Sequence, residues 1–295
     1  MSNKKKFFGI NDENWGHKWG YKDSSFVIED DKSVTFSGDR YPVCGKKLTS
    51  FIPFVESVLE VEIQKEPKVI ELEEKYVGEA KINQPFIDEM IDCFDEDRYS
   101  FESDERLLHS HGQHSTDEVY KVLYNRLEKF TDLVFYIESE EETVKLIELA
   151  KKHDVCLIPY GGGTNVTNAL RPPKKETRMI VSVDTRRLNY IESIDEENLL
   201  VTVFSGITGK ELEKNLNDVG LTVGHEPDSY EFSTVGGWIS TNAAGMKKHK
   251  YGNIEDIVQN ITMVTPSGII NQLKPLTRAS IGIKAQNVLF GSKET

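Results

Sequence analysis

The chain contains the sequence Pro159-Tyr160-Gly161-Gly162-Gly163-Thr164-Asn165 directly after the apolar run Val155-Cys156-Leu157-Ile158, and the fold can be inferred outward from it. The run has the length of a strand, so the loop after it would lie at the carboxyl edge of a sheet, where α/β proteins collect their ligands. Three successive glycines have no Cβ to oppose a positive φ, and consecutive N–H groups can therefore turn inward around an anion. The stretch predicts a phosphate-binding nest, although an ordinary glycine-rich turn has the same local pattern.

Two better-known phosphate motifs are excluded by the residues around the glycines. The dinucleotide fingerprint requires a glycine at position 166, where this chain has Val166. A Walker loop requires Gly-Lys-Ser or Gly-Lys-Thr, which this stretch lacks. Any phosphate bound here is therefore held in another way.

A second stretch, from Pro227 to Gly245, contains few bulky residues and includes paired glycines, paired alanines and several hydroxyl side chains. Such residues let a backbone approach a flat ring or a diphosphate closely, and Ser233 or Thr234 can cap a helix. Close packing of a helix on a sheet requires small residues as well. A nucleotide shared with the glycine stretch explains both patterns together.

The composition limits the classes of partner. The chain has 295 residues, 38% of them apolar, which is enough for a buried core in one or two domains. Its 36 basic and 49 acidic residues give a formal net charge of −13, which disfavours nucleic acid or an anionic membrane as the main partner. The three cysteines are far apart in sequence, which suggests neither a disulfide framework nor a cysteine metal site and fits a reducing compartment. We expect no transmembrane segment, because no apolar stretch approaches about 18 residues, and no secretory signal.

The pattern of predicted secondary structure changes near residue 128. Residues 129–295 alternate strand and helix signals, as mixed domains of strands and helices do. Residues 1–128 are predicted to form a mostly helical and irregular region that docks on this domain. Within it, 50–63 has the spacing of a core-facing helix, and the acidic segment 60–105 has the character of a loop or solvated face.

Short patterns predict the elements of the second region. We expect strands at 133–137, 155–159 and 179–183, a helix after Ser139, a hairpin of 190–194 with 199–204, a helix over 209–218, and a second hairpin of 258–265 with 269–270. Earlier in the chain, His109, His111 and His114 lie close together. A metal ion needs three or four ligands, and the sequence identifies no further partner for these histidines. We therefore predict no metal site.

The chain resembles the flavoproteins of the vanillyl-alcohol-oxidase type, and more narrowly the alkyldihydroxyacetonephosphate synthase family, over nearly its whole length. The matching segments are Trp15-Gly16 through Trp19-Gly20-Tyr21, Arg40-Tyr41-Pro42, His111-Gly112, Pro159 to Thr164, Gly206-Ile207-Thr208-Gly209, Gly224 to Ser229, Glu231 through Trp238, Gly245 to Lys248, Tyr251 to Asp256 and Met263 to Pro266. The block from 224 to 266 is the most specific to that family.

The resemblance implies an α+β fold with a two-lobed FAD-binding domain of the PCMH type over residues 129–295, with FAD as the cofactor. The residues that it assigns to FAD are Pro159, Tyr160, Gly161, Gly162, Gly163, Thr164, Asn165, Asp228, Ser229, Tyr230, Glu231, Phe232, Ser233, Thr234, Thr241, Asn242, Ala243 and Ala244. The family reaction belongs to ether-lipid biosynthesis: it exchanges the acyl group of acyl-dihydroxyacetone phosphate for a fatty alcohol through an adduct at flavin N5, without net redox change. The family is peroxisomal, but neither end of this chain carries a readable import signal, so a cytosolic location also fits.

The chain departs from the family in two respects. Family members are about twice as long, and their substrate cap, which carries the catalytic tyrosine, histidines and arginine, follows the point where this chain stops. Catalytic residues are therefore not assigned. The family's Gly-Ser-Glu-Gly-Thr motif reads Gly291-Ser292-Lys293-Glu294-Thr295 here, and Glu294 would bring a carboxylate close to the diphosphate and weaken flavin binding. A sheet without its last strands would also expose edges that favour association, including a homodimer.

Two alternatives remain at this level. An FAD-dependent oxidoreductase of 2-hydroxy acids shares the fold, although Glu226-Pro227-Asp228-Ser229 and the tryptophan-rich N-terminus favour the ether-lipid family. A remnant that keeps the fold without turnover is the other reading.

Overall fold

The computed structural model describes residues 20–21, 24–39, 41–64, 77–271 and 285–292. The strands of this part are β1 (Phe26–Ile28), β2 (Val34–Phe36), β3 (Lys47–Leu48), β4 (Tyr99–Ser100), β5 (Leu133–Tyr136), β6 (Cys156–Tyr160), β7 (Ile180–Asp184), β8 (Ile191–Asp195), β9 (Leu200–Val203), β10 (Met263–Thr265) and β11 (Gly268–Ile270). The helices are α1 (Phe51–Leu59), α2 (Gln84–Cys93), α3 (Ser103–Leu108), α4 (Thr116–Leu123), α5 (Glu140–Lys152), α6 (Gly209–Asn217), α7 (Val235–Thr241), α8 (Lys248–Tyr251) and α9 (Ile254–Ile257). Among these helices, none combines the length and the apolar character that a membrane span requires.

The chain divides into two compact units. The first comprises the described residues before position 77 together with 120–126, and the second comprises 77–119 and the described residues from 127 onward. The boundary between these units therefore differs from the change in sequence pattern near residue 128, because the segment 77–119 packs with the second unit. Trp15, Trp19, Arg40 and Lys293 to Thr295, which contributed to the sequence interpretation, lie outside the described residues.

The first unit contains a three-stranded antiparallel sheet in the order β1-β2-β3 and helix α1. The rings of Phe26 and Phe36 stack across β1 and β2 with their centroids 4.4 Å apart. Helix α1 forms where the sequence predicts it, but the expectation that its apolar face points to a core is wrong. Phe54 is 64% exposed, whereas Ile52 is buried. Helical spacing determines which side chains share a face, and it does not determine what covers that face.

The second unit is organised around a four-stranded sheet in the order β4-β5-β7-β6. Strands β5, β7 and β6 run parallel, and β4 pairs antiparallel with β5. Every residue of β5 and β7 is buried, as expected for parallel strands that are covered on both faces. The three strands predicted from the sequence are thus confirmed, each to within one residue at either end.

Two helices cover this sheet and complete the first hydrophobic core. Helix α5 begins at Ser139, whose Oγ accepts a hydrogen bond from the backbone N–H of Glu142 at 3.1 Å, so the predicted cap is confirmed. Helix α2 buries Phe86 and Met90 in the same core. The expectation that 60–105 is a loop or solvated face is therefore wrong for α2. Its acidic side chains lie on the face opposite to a narrow apolar stripe at i, i+4 spacing.

A second hydrophobic core forms the other lobe of this unit. Its buried residues are Ile207, Leu212, Leu216, Val235, Trp238 and Ile254, and they come from α6, α7, α9 and the segment before α6. The antiparallel hairpin of β8 and β9 packs its apolar side chains against this core. This hairpin and α6 confirm two sequence predictions, while the strand predicted from 258 begins only at Met263.

Candidate functional site

The carboxyl ends of the parallel strands lie level with one another. Tyr136 on β5 pairs with Asp184 on β7, and Asp184 pairs with Tyr160 on β6. The glycine loop, defined as residues 161–165, follows Tyr160 directly and therefore lies at this edge of the sheet, as the sequence predicts. Side chains at this edge can reach the loop from below.

The glycine loop contacts the second predicted stretch directly. A Cβ built on Gly162 would lie 1.9 Å from the carbonyl oxygen of Phe232, and a Cβ built on Gly161 would lie 2.5 Å from Thr234 Oγ1. Neither distance is compatible with a side chain. The two stretches, one from each lobe, thus meet backbone to backbone.

The backbone N–H groups of the glycine loop have no acceptor among the described residues. The carbonyl oxygen of Gly163 and the side-chain oxygen of Asn165 accept hydrogen bonds, but none of the backbone N–H groups of residues 161–166 donates one within the described part of the chain. Gly162 and Gly163 are buried, and buried N–H groups without a partner are rare in folded proteins. This loop therefore offers donors to an acceptor that the described part of the chain does not supply.

The second stretch is held by its own hydroxyl groups. Thr234 caps α7, with its Oγ1 accepting from the backbone N–H of Gly237 at 3.2 Å. Ser233 Oγ donates to the carbonyl oxygen of Ser229 at 2.9 Å and accepts from Nε1 of Trp238 at 2.7 Å. Because these side chains are engaged within the lobe, they fix the backbone that faces the glycine loop.

The predicted site residues 241–244, at the far end of the second stretch, lie at the carboxyl end of α7. A helix of that length separates its ends by about 10 Å at 1.5 Å per residue. Asn242 ends the helix in the left-handed region with φ 50°, and a Cβ built on Gly291 would lie 3.4 Å from its Cβ. The structure therefore brings the glycine loop and residues 232–234 together and places residues 241–244 about one helix length away, beside Gly291.

The predicted site residues differ in how accessible they are. Pro159, Asp228, Asn242 and Ala244 are exposed, whereas Tyr160, Gly162, Gly163, Ser233 and Thr234 are buried, and the remaining nine, which are Gly161, Thr164, Asn165, Ser229, Tyr230, Glu231, Phe232, Thr241 and Ala243, are intermediate. The exposed and intermediate positions have surface that a ligand can reach. The buried side chains can act on a ligand only through the backbone that they support.

Sequence reasoning missed a buried ionic cluster beneath the glycine loop. Asp184 accepts from Nε2 of His109 at 2.9 Å and from Nε of Arg186 at 2.9 Å. Burial alone would raise the pKa of Asp184, but Arg186 and His109 hold it well below its usual range. His109 and Asp184 are 75 residues apart in sequence. The only sequence signal of this contact is that the predicted buried strand is followed directly by an acidic residue, Asp184.

The pKa of Tyr160, which lies against this cluster, is also displaced from its ordinary value. Burial raises the pKa of Tyr160 to about 12, since the charged phenolate would be poorly solvated. The Arg186 guanidinium lies 5.3 Å from the centroid of its ring. Tyr160 therefore remains a neutral hydroxyl over the whole physiological range.

The three neighbouring histidines have separate roles. His109 contacts Asp184, the Nδ1 of His111 lies 2.8 Å from the carbonyl oxygen of Gly112, and the ring of His114 packs edge-on against Phe232. Within the described ranges, no group of three or more His, Cys, Asp or Glu side chains is arranged to hold a metal ion.

Comparisons with known proteins follow the same segments. The family model described as "FAD binding domain" matches residues 131–274. The alkyldihydroxyacetonephosphate synthase of Caenorhabditis elegans is 40% identical over 279 residues, which cover 94% of this chain and 46% of that relative. A solved structure of alkyldihydroxyacetonephosphate synthase superimposes with a TM-score of 0.84 at 29% identity, covering 95% of this chain and 51% of the other. The mitochondrial D-lactate dehydrogenase (cytochrome) of Kluyveromyces lactis is 29% identical over 165 residues, or 56% of this chain and 28% of that relative.

The chain thus spans about half the length of the synthases that it matches.

Proposed function

Because the chain belongs to the flavoproteins with an FAD-binding domain of the PCMH type, we propose that it is the flavin-binding part of an alkyldihydroxyacetonephosphate synthase. The observation that carries this proposal is the extent of the likeness. The match to the C. elegans synthase covers 94% of the chain, whereas the match to the D-lactate dehydrogenase covers 56%. An oxidoreductase that shared only the flavin domain would give the shorter match.

The residues of this chain fit FAD. Among the described residues, nothing accepts from the N–H groups of the glycine loop, and a diphosphate supplies oxygens that accept from such a nest. The exposed carboxylate of Asp228 is suited to accept from hydroxyl or ring N–H donors rather than to approach a diphosphate. Gly291, Asn242 and the small residues 243–244 leave room beside the far end of α7, and a dinucleotide is long enough to reach both ends of that helix.

When bound, FAD would supply the reactive centre at which the acyl group of acyl-dihydroxyacetone phosphate is exchanged for a fatty alcohol. The part played by this chain is then to bind and orient the cofactor and to exclude water from its diphosphate. No catalytic side chain is assigned within it. The two substrates, a homodimer and a peroxisomal location are further parts of the proposal. The substrates and the location rest on the resemblance alone, and the homodimer rests on the exposed sheet edges that the sequence predicts.

The first experiment tests the cofactor. The chain is freed of bound flavin and titrated with FAD while flavin fluorescence is followed, and we expect saturable quenching with one FAD per chain. A colourless protein that leaves added FAD fully fluorescent would contradict the proposal.

The second experiment separates the two enzyme classes. Extracts are examined for any longer form of the polypeptide, and that form and the chain itself are assayed for incorporation of a labelled long-chain alcohol into acyl-dihydroxyacetone phosphate. Reduction of a dye by D-lactate or glycolate is measured in parallel. Ether product without dye reduction supports the synthase, whereas dye reduction without ether product supports the oxidoreductase.

A further inference from the structure

Resting on the proposed function, we infer that Tyr160 is a positioning residue for the flavin diphosphate. Its ring is held by His109 and Arg186 of the ionic cluster, and its buried hydroxyl packs against Gly163 and so supports the glycine loop in the shape that presents its N–H groups. The resemblance assigns Tyr160 to the cofactor contacts. Its side chain, however, is 1% exposed, so a ligand above the loop cannot touch it.

The Tyr160 side chain folds back beneath its own loop. A Cβ built on Gly163 would lie 2.4 Å from the Tyr160 hydroxyl oxygen and 3.0 Å from Cζ. Gly163 is in the left-handed region with φ 70°, and its carbonyl oxygen accepts from the backbone N–H of Gln113 at 2.7 Å. Gly163 is therefore fixed between Tyr160 on one side and Gln113 on the other, and a shift of the hydroxyl shifts the loop.

The ring of Tyr160 is in turn held in place by the cluster. The His109 ring lies with its centroid 4.4 Å from that of Tyr160, and the Arg186 guanidinium lies 5.3 Å from it. Asp184 hydrogen-bonds both of these partners and is itself the last residue of β7. Asp184 thus fixes His109 and Arg186, these two side chains fix the ring of Tyr160, and Tyr160 determines how far the glycine loop lies from the sheet.

The same edge of the sheet offers a matched control. Tyr136 is also buried, at 8% exposed, pairs in register with Asp184, and its hydroxyl donates to the carboxylate of Glu105. Burial raises its pKa as well. Unlike Tyr160, it ends β5, which the glycine loop does not follow. Removal of either hydroxyl perturbs one buried tyrosine beside the same cluster, but only Tyr160 touches the loop.

The test compares Tyr160→Phe with Tyr136→Phe in the full chain. FAD dissociation constants are measured by fluorescence quenching, and ADP, which carries the diphosphate without the flavin ring, is titrated as a competitor. We expect Tyr160→Phe to weaken FAD and ADP by the same factor of about two to five, because Gly163 loses the atom that it packs against and the loop can settle into the small space left behind. Tyr136→Phe should bind both as the wild type does, and melting temperatures of the two flavin-free variants should be similar.

The outcomes separate the two claims. A wild-type chain that binds no FAD would overturn the proposed function and the inference with it. If the wild type binds FAD and Tyr160→Phe binds it equally well, the function stands and the inference falls. Equal weakening in both variants would show general loosening of the cluster, and weakening of FAD without weakening of ADP would show that the loop holds another part of the cofactor. Either result would also overturn the inference.

Discussion

Replacing Gly162 by alanine is the smallest change that should separate the two lobes at the candidate site. The added Cβ would lie 1.9 Å from the carbonyl oxygen of Phe232, 2.6 Å from its carbonyl carbon and 3.1 Å from the Cα of Ser233. All three atoms belong to backbone, so no side-chain rotation relieves the clash. The glycine loop and the stretch 232–234 must move apart.

The size of the effect can be worked from these distances. An ordinary contact between carbon and carbonyl oxygen is about 3.3 Å, and the stretches must therefore part by about 1.4 Å. Overpacking of this kind costs up to about 3 kcal/mol. If that energy favours a loop whose N–H groups no longer converge, the competent loop falls to about 1% of the molecules, and the apparent FAD dissociation constant rises about 100-fold. Gly162→Val should abolish binding, since it adds two methyl groups to the same clash.

The assay is the FAD titration, with chemical denaturation of the flavin-free protein alongside. Gly220→Ala serves as the control: nothing lies within 4 Å of its built Cβ, but its φ is 76°, so that variant should lose about 1 kcal/mol of stability and keep its FAD affinity. Wild-type affinity and stability in Gly162→Ala would show that the two stretches do not meet as the structure describes.

Three further predictions concern stability. Thr234→Ala removes the oxygen that caps α7 and should lower the free energy of unfolding by about 1 kcal/mol, measured with urea. Asp184→Asn leaves the largely buried Arg186 without its counter-charge and should lower the free energy of unfolding by about 3–5 kcal/mol at pH 7. Because the folded-state pKa of Asp184 is lowered, the stability that its carboxylate contributes is present above about pH 4 and is lost as the pH falls further. The urea midpoints of wild type and variant should therefore converge in acid, and a difference that stays constant with pH would contradict the cluster. The pKa of Tyr160 is raised to about 12, so the stability that its neutral phenol contributes is fully present below about pH 10 and is lost as the pH rises from there to 12. In an alkaline titration followed by absorbance at 295 nm, Tyr160→Phe should lack one phenol that ionises late in the wild type.

The strands at the site could be predicted because their signal is local. Residues 133–137, 155–159 and 179–183 are continuous apolar runs, which buried parallel strands require, and the glycine triplet punctuates the second of them. Contacts between distant residues carry no such signal. The pairing of His109 with Asp184 joins α3's end to the end of β7, and neither spacing nor composition relates two positions so far apart.

Two helices show the limits of pattern in opposite directions. Helix α1 has a full apolar stripe and leaves Phe54 and Val58 exposed. Helix α2 lies in an acidic segment that reads as solvated, yet Phe86 and Met90 are completely buried. In both cases the sequence determines which side chains share a face, and tertiary packing determines whether that face is buried. The narrow apolar stripe of α2 is therefore buried while the wider stripe of α1 is exposed.

The glycine triplet satisfies two requirements that the sequence presents as alternatives. Gly161, Gly162 and Gly163 each lack room for a Cβ because of protein atoms, namely Thr234, Phe232 and Tyr160. Close packing of the two lobes thus explains Gly161 and Gly162, and packing on Tyr160 of its own lobe explains Gly163, before any ligand is considered. What packing leaves unexplained is that the N–H groups of this loop, including those of the buried Gly162 and Gly163, have no acceptor among the described residues, since a loop that only packs would pair them. The glycines alone therefore do not distinguish a turn from a nest, and the N–H groups that have no acceptor among the described residues are the observation that favours the nest.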